Sequence, residues 1–193
     1  MKQRLLTGIA IVLLGWAGSA QASPITYTET GTGSGVLDGT AFANALVTFT
    51  FNGDTANVGP FGGTCAACLV NVPATSVTVK VAGVGTDTLT DPVGIIGIPV
   101  PDPECGGPPC LAFVDDKQGT PGVALLATIS NGLLGYNLIN PIGPISGDAF
   151  ADVIPVKTKL GTFNWTSSPE TSTFTATQVP EPGTMVQIGR AHV

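Results

Sequence analysis

Residues 45–51, Ala45-Leu46-Val47-Thr48-Phe49-Thr50-Phe51, alternate apolar and polar side chains. Successive side chains of an extended strand point to opposite faces, so Val47, Phe49 and Phe51 share one face and the two threonines share the other. Turn-forming residues follow at once, in Asn52-Gly53-Asp54. The stretch therefore predicts a β-strand with one buried face.

The same alternation recurs at residues 76–81, where valines at 77, 79 and 81 share one face. Further short strands are predicted at residues 111–114, 124–129, 161–165 and 172–176. Glycine and proline interrupt the chain about every ten residues, which is typical of sandwiches and barrels of short strands. We therefore expect an all-β fold, a single antiparallel β-sandwich of the jelly-roll or immunoglobulin-like kind, over residues 23–178. A short helix at residues 125–134 is the alternative for that segment.

Three stretches are expected to be irregular. Gly31-Thr32-Gly33-Ser34-Gly35 resembles a phosphate-binding loop only superficially, because no helix follows it, and it predicts a turn. Residues 57–71 are glycine-rich, and residues 91–109 carry six prolines. Proline cannot donate a ladder hydrogen bond, so the second region predicts a long surface loop or an excursion at a sheet edge.

The first 22 residues have the pattern of an export signal. Lys2 and Arg4 precede an apolar run at residues 5–14, which is shorter than the roughly 20 residues of a membrane-spanning helix. Ala20 and Ala22 are the small residues at the two positions that a signal peptidase reads. We therefore expect residues 1–22 to be a signal peptide, with Ser23 at the new N-terminus.

The exported part of the chain is strongly acidic. With the signal peptide and Arg190 set aside, four lysines face all 13 acidic residues, a formal charge of −9. Such a surface, without a basic cluster, repels phosphate groups. The charge therefore argues against binding to nucleic acid and against adhesion to anionic lipid through a basic face.

Four cysteines in an exported chain predict disulfide bonds, with three possible connectivities. They are Cys65, Cys68, Cys105 and Cys110. Pairs between the two loops close rings of about 40 residues and stabilise more in the chain-entropy model, whereas the local pairs 65–68 and 105–110 close more easily. We favour the local pairs over the crossing ones. A redox motif or a four-cysteine zinc site is less expected in an oxidising compartment.

Histidine is absent from residues 23–178, since the single histidine is His192. This excludes nucleophile–histidine systems and histidine-bound zinc from that region. Paired carboxylates remain, because glycoside hydrolysis needs only two. The candidate acids and sugar-stacking aromatics are Glu29, Asp102, Glu104, Asp115, Asp116, Glu170, Tyr27, Tyr136 and Trp165. We expect the acids to be solvated loop carboxylates, Trp165 to lie in the core, and no metal or other cofactor to be held.

A short motif close to the C-terminus resembles the start of a PEP-CTERM sorting signal. It reads Val179-Pro180-Glu181-Pro182-Gly183-Thr184 and follows an exported, threonine-rich domain. In that family the motif is followed by a transmembrane helix and a short arginine-rich end. The resemblance implies recognition by an exosortase, a membrane-embedded cysteine transpeptidase linked to exopolysaccharide production in Gram-negative bacteria. Residues 39–58 also resemble small β-rich secreted proteins that carry this tail.

The chain departs from the family after Thr184. Residues 185–187 could begin the membrane helix, but residues 188–193, Ile-Gly-Arg-Ala-His-Val, cannot continue it. These six residues match the translation of a common sequencing-adapter string. We therefore interpret residues 179–187 as the start of a sorting signal in a disordered tail, and residues 188–193 as a non-native end. A naturally degenerate tail is the alternative for these last residues. As written, the chain is expected to be secreted rather than held in the membrane.

Together these features predict a non-enzymatic exported protein of the cell surface or extracellular matrix. The expected partners are signal peptidase, an exosortase if the tail is complete, and extracellular polysaccharide, with contact to the membrane only through the sorting helix. The alternatives are a carbohydrate-binding module, a carboxylate-dependent glycan-active enzyme or a Ca²⁺-stabilised adhesin module.

Overall fold

A computed structural model describes residues 23–61, 68–71, 76–115 and 122–180. Three single-turn 3-10 helices lie at Thr55–Asn57, Pro103–Cys105 and Asn131–Leu133. The strands of these residues are β1 (Pro24–Leu37), β2 (Thr40–Asp54), β3 (Val58–Pro60), β4 (Leu69–Asn71), β5 (Ser76–Val81), β6 (Gly85–Thr88), β7 (Val93–Ile98), β8 (Cys110–Asp115), β9 (Val123–Ile129), β10 (Ile142–Phe150), β11 (Val156–Lys157), β12 (Thr162–Ser167) and β13 (Thr171–Gln178).

The strands form one continuous antiparallel sheet. Its order is β3-β4-β7-β8-β9-β10-β13-β1-β2-β5-β6, and the short pair β11–β12 joins it through β1. The long strand β1 pairs with β2 along most of its length, with β13 over residues 25–31 and with β12 over residues 34–37. The predicted all-β antiparallel fold is therefore confirmed.

Ring contacts in the core show that the sheet curls over on itself. The ring of Phe113 on β8 lies 6.3 Å from that of Phe49 and 6.1 Å from that of Phe51, both on β2. These two strands are five steps apart in the strand order, so they meet only if the two halves of the sheet face each other. The arrangement is sandwich-like, with the core between the halves.

The stretch that decides the fold lies in β2 and behaves as predicted. Val47, Phe49 and Phe51 are fully buried, while Thr48 and Thr50 lie on the opposite, partly exposed face. Residues 76–81 are β5, and its three valines are buried in the same way. Each buried face contributes to a single apolar cluster that extends across both halves of the sheet.

The turn predicted at residues 31–35 is wrong, because those residues lie within β1. Two of their glycines are required by close packing instead. A Cβ on Gly33 would lie 2.7 Å from the ring of Trp165. One on Gly35 would clash with the backbone oxygen of Asn164 and would lie 2.7 Å from the ring of Phe42. Small residues here let two aromatic rings pack directly onto the strand.

The irregular regions contain more strand than predicted. The proline-rich region holds the buried strand β7, whose run Val93–Ile98 contains no proline, and only its later part is a loop. The glycine-rich region holds β3 and β4. The helix considered at residues 125–134 is wrong, since β9 continues to Ile129 and only a single 3-10 turn follows.

Candidate functional site

A cluster of three polar side chains is buried between the halves of the sheet. Glu29 on β1 is in phase with Ile25 and Tyr27, so the alternation of that strand points its side chain into the core. Thr128 on β9 and Ser172 on β13 reach the same place. Glu29 and Thr128 have no exposed surface, and Ser172 is 3% exposed.

The oxygen atoms of this cluster are connected in series. Glu29 Oε1 lies 2.6 Å from Thr128 Oγ1, which lies 2.8 Å from Ser172 Oγ. The Ser172 hydroxyl donates to the backbone oxygen of Ala127 at 3.0 Å. Burial raises the pKa of the Glu29 carboxyl well above its usual range, and its contacts with the Thr128 hydroxyl and the Phe113 backbone offset only part of this effect.

The cluster has the side-chain chemistry of an acid–base site, but a substrate cannot reach it. Strongly shifted carboxyl pKa values are typical of catalytic groups. A substrate, however, must approach within hydrogen-bonding distance of the acid, and Glu29 is sealed inside the sheet. The expectation of solvated loop carboxylates is therefore wrong for Glu29, and also for Asp115, which is 1% exposed.

A second acidic group joins two turns and strand β6. Asp38, in the β1–β2 turn, accepts a hydrogen bond from the Thr158 hydroxyl at 2.5 Å. Asp87 on β6 accepts from the backbone N–H groups of Leu160 and Thr88 at 2.8 and 2.7 Å. Desolvation raises the pKa of Asp87, but these hydrogen bonds, with those of Thr158 and Asp38, outweigh it and lower the pKa. The geometry indicates a structural role, in which the two aspartates hold neighbouring segments of the chain together.

The loop before β8 forms an open groove of about 510 Å³, which is lined by Pro101, Asp102, Pro103, Gly106 and Gly107. Reciprocal backbone hydrogen bonds between Asp102 and Gly107, of 3.0 and 2.9 Å, fix its shape. Among the described side chains of this lining, the carboxylate is that of Asp102. A glycosidase needs two facing carboxyl groups, and the described part of the lining supplies one. Nowhere in the described ranges do three or more Asp, Glu, His or Cys side chains group as metal ligands would.

The three candidate sugar-stacking aromatics are all buried. Tyr27 donates to the Leu138 backbone oxygen at 2.5 Å, and Trp165 Nε1 donates to the Leu125 backbone oxygen at 2.7 Å. Tyr136 is 6% exposed and donates to a backbone oxygen of its own loop. The core position expected for Trp165 is therefore confirmed. Glu170 is exposed in the β12–β13 turn.

The cysteines follow the local pairing. Cys105 and Cys110 are bonded to each other across the loop that ends at β8, which excludes the crossing pairs. Cys68 is buried and is also in a disulfide bond. Cys65 lies outside the described residues, as do Asp116 and the side chain of Glu104.

The described residues that flank the two predicted processing sites lie beside each other. The Val179 N–H donates to the backbone oxygen of Pro24 at 3.0 Å, so the end of β13 is adjacent to the start of β1. Val179 and Pro180 are exposed, and Ser23 precedes β1 directly. Ala20, Ala22, Glu181 and Pro182 lie outside the described residues.

In the part of the chain that the structure describes, no helix has the length and apolar character needed to cross a membrane. Comparison with known proteins gives no match, whether to a protein-family model, a curated protein or a solved structure.

Proposed function

We propose that this chain is a non-enzymatic exported protein of the cell surface or extracellular matrix, sorted by an exosortase system linked to exopolysaccharide. The observation that carries the proposal is the position of the motif Val179-Pro180-Glu181-Pro182. The last strand ends at Gln178, so the motif begins at the residue after the folded domain. Val179 is 46% exposed, and Pro180 is exposed as well.

The adjacency of the two ends supports the same function. Signal peptidase would cleave before Ser23, and the exosortase would act on the motif after Gln178. Because Val179 and Pro24 share a hydrogen bond, both enzymes would meet the domain at one end of its sheet. The rest of the domain would then extend away from the membrane, towards extracellular polysaccharide.

The interior of the domain also supports a non-enzymatic role. Glu29, whose carboxyl pKa is raised well above its usual range by burial, is sealed from solvent. Tyr27, Tyr136 and Trp165 use their polar atoms to bond backbone oxygens inside the fold. These positions weigh against the alternative of a glycan-active enzyme or an aromatic-platform carbohydrate-binding module.

The sorting step is tested in a Gram-negative host that has an exosortase. The chain is extended after Thr184 with a membrane helix of about 20 apolar residues and an arginine-rich end. The variant P180A/E181A/P182A is compared with the control P101A/P103A/E170A, which removes the same residue types from exposed positions. We expect the first variant to stay uncleaved in the membrane fraction and the control to be processed like the parent. Normal processing of the first variant would show that the motif is not a sorting signal.

A further inference from the structure

The buried cluster of Glu29, Thr128 and Ser172 contains three short contacts between oxygen atoms. They join Glu29 to Thr128 at 2.6 Å, Thr128 to Ser172 at 2.8 Å, and Ser172 to the backbone oxygen of Ala127 at 3.0 Å. All three lie within the usual range for hydrogen bonds between oxygens. Each contact therefore needs one hydrogen atom.

The two hydroxyl groups supply only two of these hydrogens. A backbone oxygen can only accept, so the Ser172 hydrogen is used on Ala127. Thr128 has a single hydrogen, which can point to Glu29 or to Ser172 but not to both. With an ionised carboxylate, one contact would bring two lone pairs together without a hydrogen between them. The third hydrogen has to come from Glu29.

We propose that Glu29 is a protonated carboxylic acid in the folded protein and that it donates a hydrogen bond to Thr128. Because this proton has to be kept, the stability of the folded protein decreases as the pH rises. The direction of donation then runs from Glu29 to Thr128, from Thr128 to Ser172, and from Ser172 to Ala127. The chain of bonds joins β1 to β9, which are three steps apart in the strand order. This inference concerns the stability of the domain and does not depend on the sorting function.

Among the described residues, no cation lies beside Glu29 to pair with an ionised carboxylate. Its register partners are Phe49 on β2 and Phe174 on β13, both fully buried. The lysines of the described residues, at 80, 157 and 159, are all exposed. Removing the proton would leave a buried charge without a counter-ion, which is strongly unfavourable.

The other titratable groups on the strands around Glu29 are neutral or acidic. Tyr27 on β1 donates to Leu138, and Asp54 lies at the far end of β2. Asp115 lies four residues along β8 from Leu111, the register partner of Thr128. Asp148 on β10 is exposed. Neither β9 nor β13 carries an acidic or basic residue. None of these groups is a cation that could hold Glu29 in the ionised form.

The sign of the pH dependence follows from proton binding. An unfolded chain releases the Glu29 proton above about pH 4.3, whereas the folded protein keeps it to a higher pH. The stabilisation is therefore complete below that value and is lost as the pH rises towards and through the folded-state pKa. One retained proton increases the unfolding equilibrium constant by up to about tenfold per pH unit in this range.

The test compares the purified protein with Glu29→Gln by urea unfolding from pH 5 to pH 9. The glutamine amide can still donate to Thr128 but cannot ionise. We expect the unfolding constant of the wild type to rise by up to about tenfold more per pH unit than that of the variant. The control Glu170→Gln, at an exposed site, should keep the wild-type slope. Equal slopes for the wild type and Glu29→Gln would overturn the proposal.

A second measurement does not depend on the variant folding. Carbon-13 labelling of glutamate side-chain carboxyls gives signals from the four glutamates of the chain. At neutral pH one signal should keep the chemical shift of a protonated acid, while the others titrate in the usual acidic range. If every glutamate is ionised in the folded protein at neutral pH, the proposal is wrong.

Discussion

Tyr27 shows how a single buried hydroxyl joins a strand to a distant loop. Its side chain is fully buried on β1, and its hydroxyl donates at 2.5 Å to the backbone oxygen of Leu138, 111 residues away. Leu138 itself is fully buried and has a φ of +61°, a conformation that leucine rarely adopts. The hydrogen bond therefore gives the buried Leu138 carbonyl a donor. It also helps to hold the loop in a backbone conformation that leucine does not favour by itself.

We expect Tyr27→Phe to destabilise the protein by about 1–3 kcal/mol, because it leaves the Leu138 oxygen buried without this donor. Tyr136→Phe is the matched control, since the Tyr136 hydroxyl bonds to Asn140 in a partly buried setting. Urea unfolding with unchanged m-values measures both changes. A loss for Tyr27→Phe no larger than that for Tyr136→Phe would contradict the structural role given to the Leu138 contact.

The position of Glu29 could have been read from its neighbours, but its partners could not. Ile25, Tyr27 and Glu29 alternate with threonines, and this period of two predicts that all three share a buried face. Thr128 lies 99 residues away and Ser172 further still, and only the pairing of strands brings them together. Side-chain type and spacing identify a carboxyl as a candidate, whereas the tertiary fold decides whether solvent reaches it.

At the scale of elements, the strands that were predicted best have one buried face. β2 and β5 alternate cleanly, and their bounds contain the predicted segments. The sequence pattern did not predict β7, because prolines lie around it. This strand is also buried on both faces, so its apolar run shows no alternation. The full length of β1 was not predicted, because Gly31, Gly33 and Gly35 locally suggest a turn. These residues form a strand because distant aromatic rings pack against them, and a local sequence pattern cannot show such contacts.

Gly33 gives a direct test of that packing. We expect Gly33→Ala to destabilise the protein by about 1–3 kcal/mol, because the added Cβ would lie 2.7 Å from the Trp165 ring and would force it to shift. The ring is held by its hydrogen bond to Leu125 and by edge contact with Phe163, so it has little freedom to move. Chemical denaturation and Trp165 fluorescence would measure the change.

Gly85→Ala on β6 is the matched control for this substitution. A Cβ at Gly85 meets nothing within 4 Å, so the change there should be within a few tenths of a kcal/mol. Similar effects at the two sites would mean that the glycines of β1 are not required by the aromatic rings.

At the scale of the whole molecule, β13 completes the domain although it comes last in the chain. It lies between β10 and β1 in the sheet and pairs with both. Its buried side chains Phe174 and Ala176 belong to the core, and the ring of Phe174 lies 6.2 Å from that of Tyr27. The sheet is therefore continuous only when the chain has been completed as far as Gln178.

Truncation separates the folded domain from the segment that follows it. A chain that ends at Pro180 keeps every strand of the described residues, and we expect its thermal unfolding to match that of the full chain. A chain that ends at Glu170 lacks β13, which leaves the edges of β10 and β1 unpaired and uncovers the core around Phe174. We expect that chain to lose cooperative unfolding and amide dispersion in NMR spectra. If the chain without residues 171–178 still unfolds cooperatively, the two halves of the sheet are independent units. If it loses cooperative unfolding while the chain that ends at Pro180 keeps it, the domain ends at the first residues of the Val179-Pro180 motif.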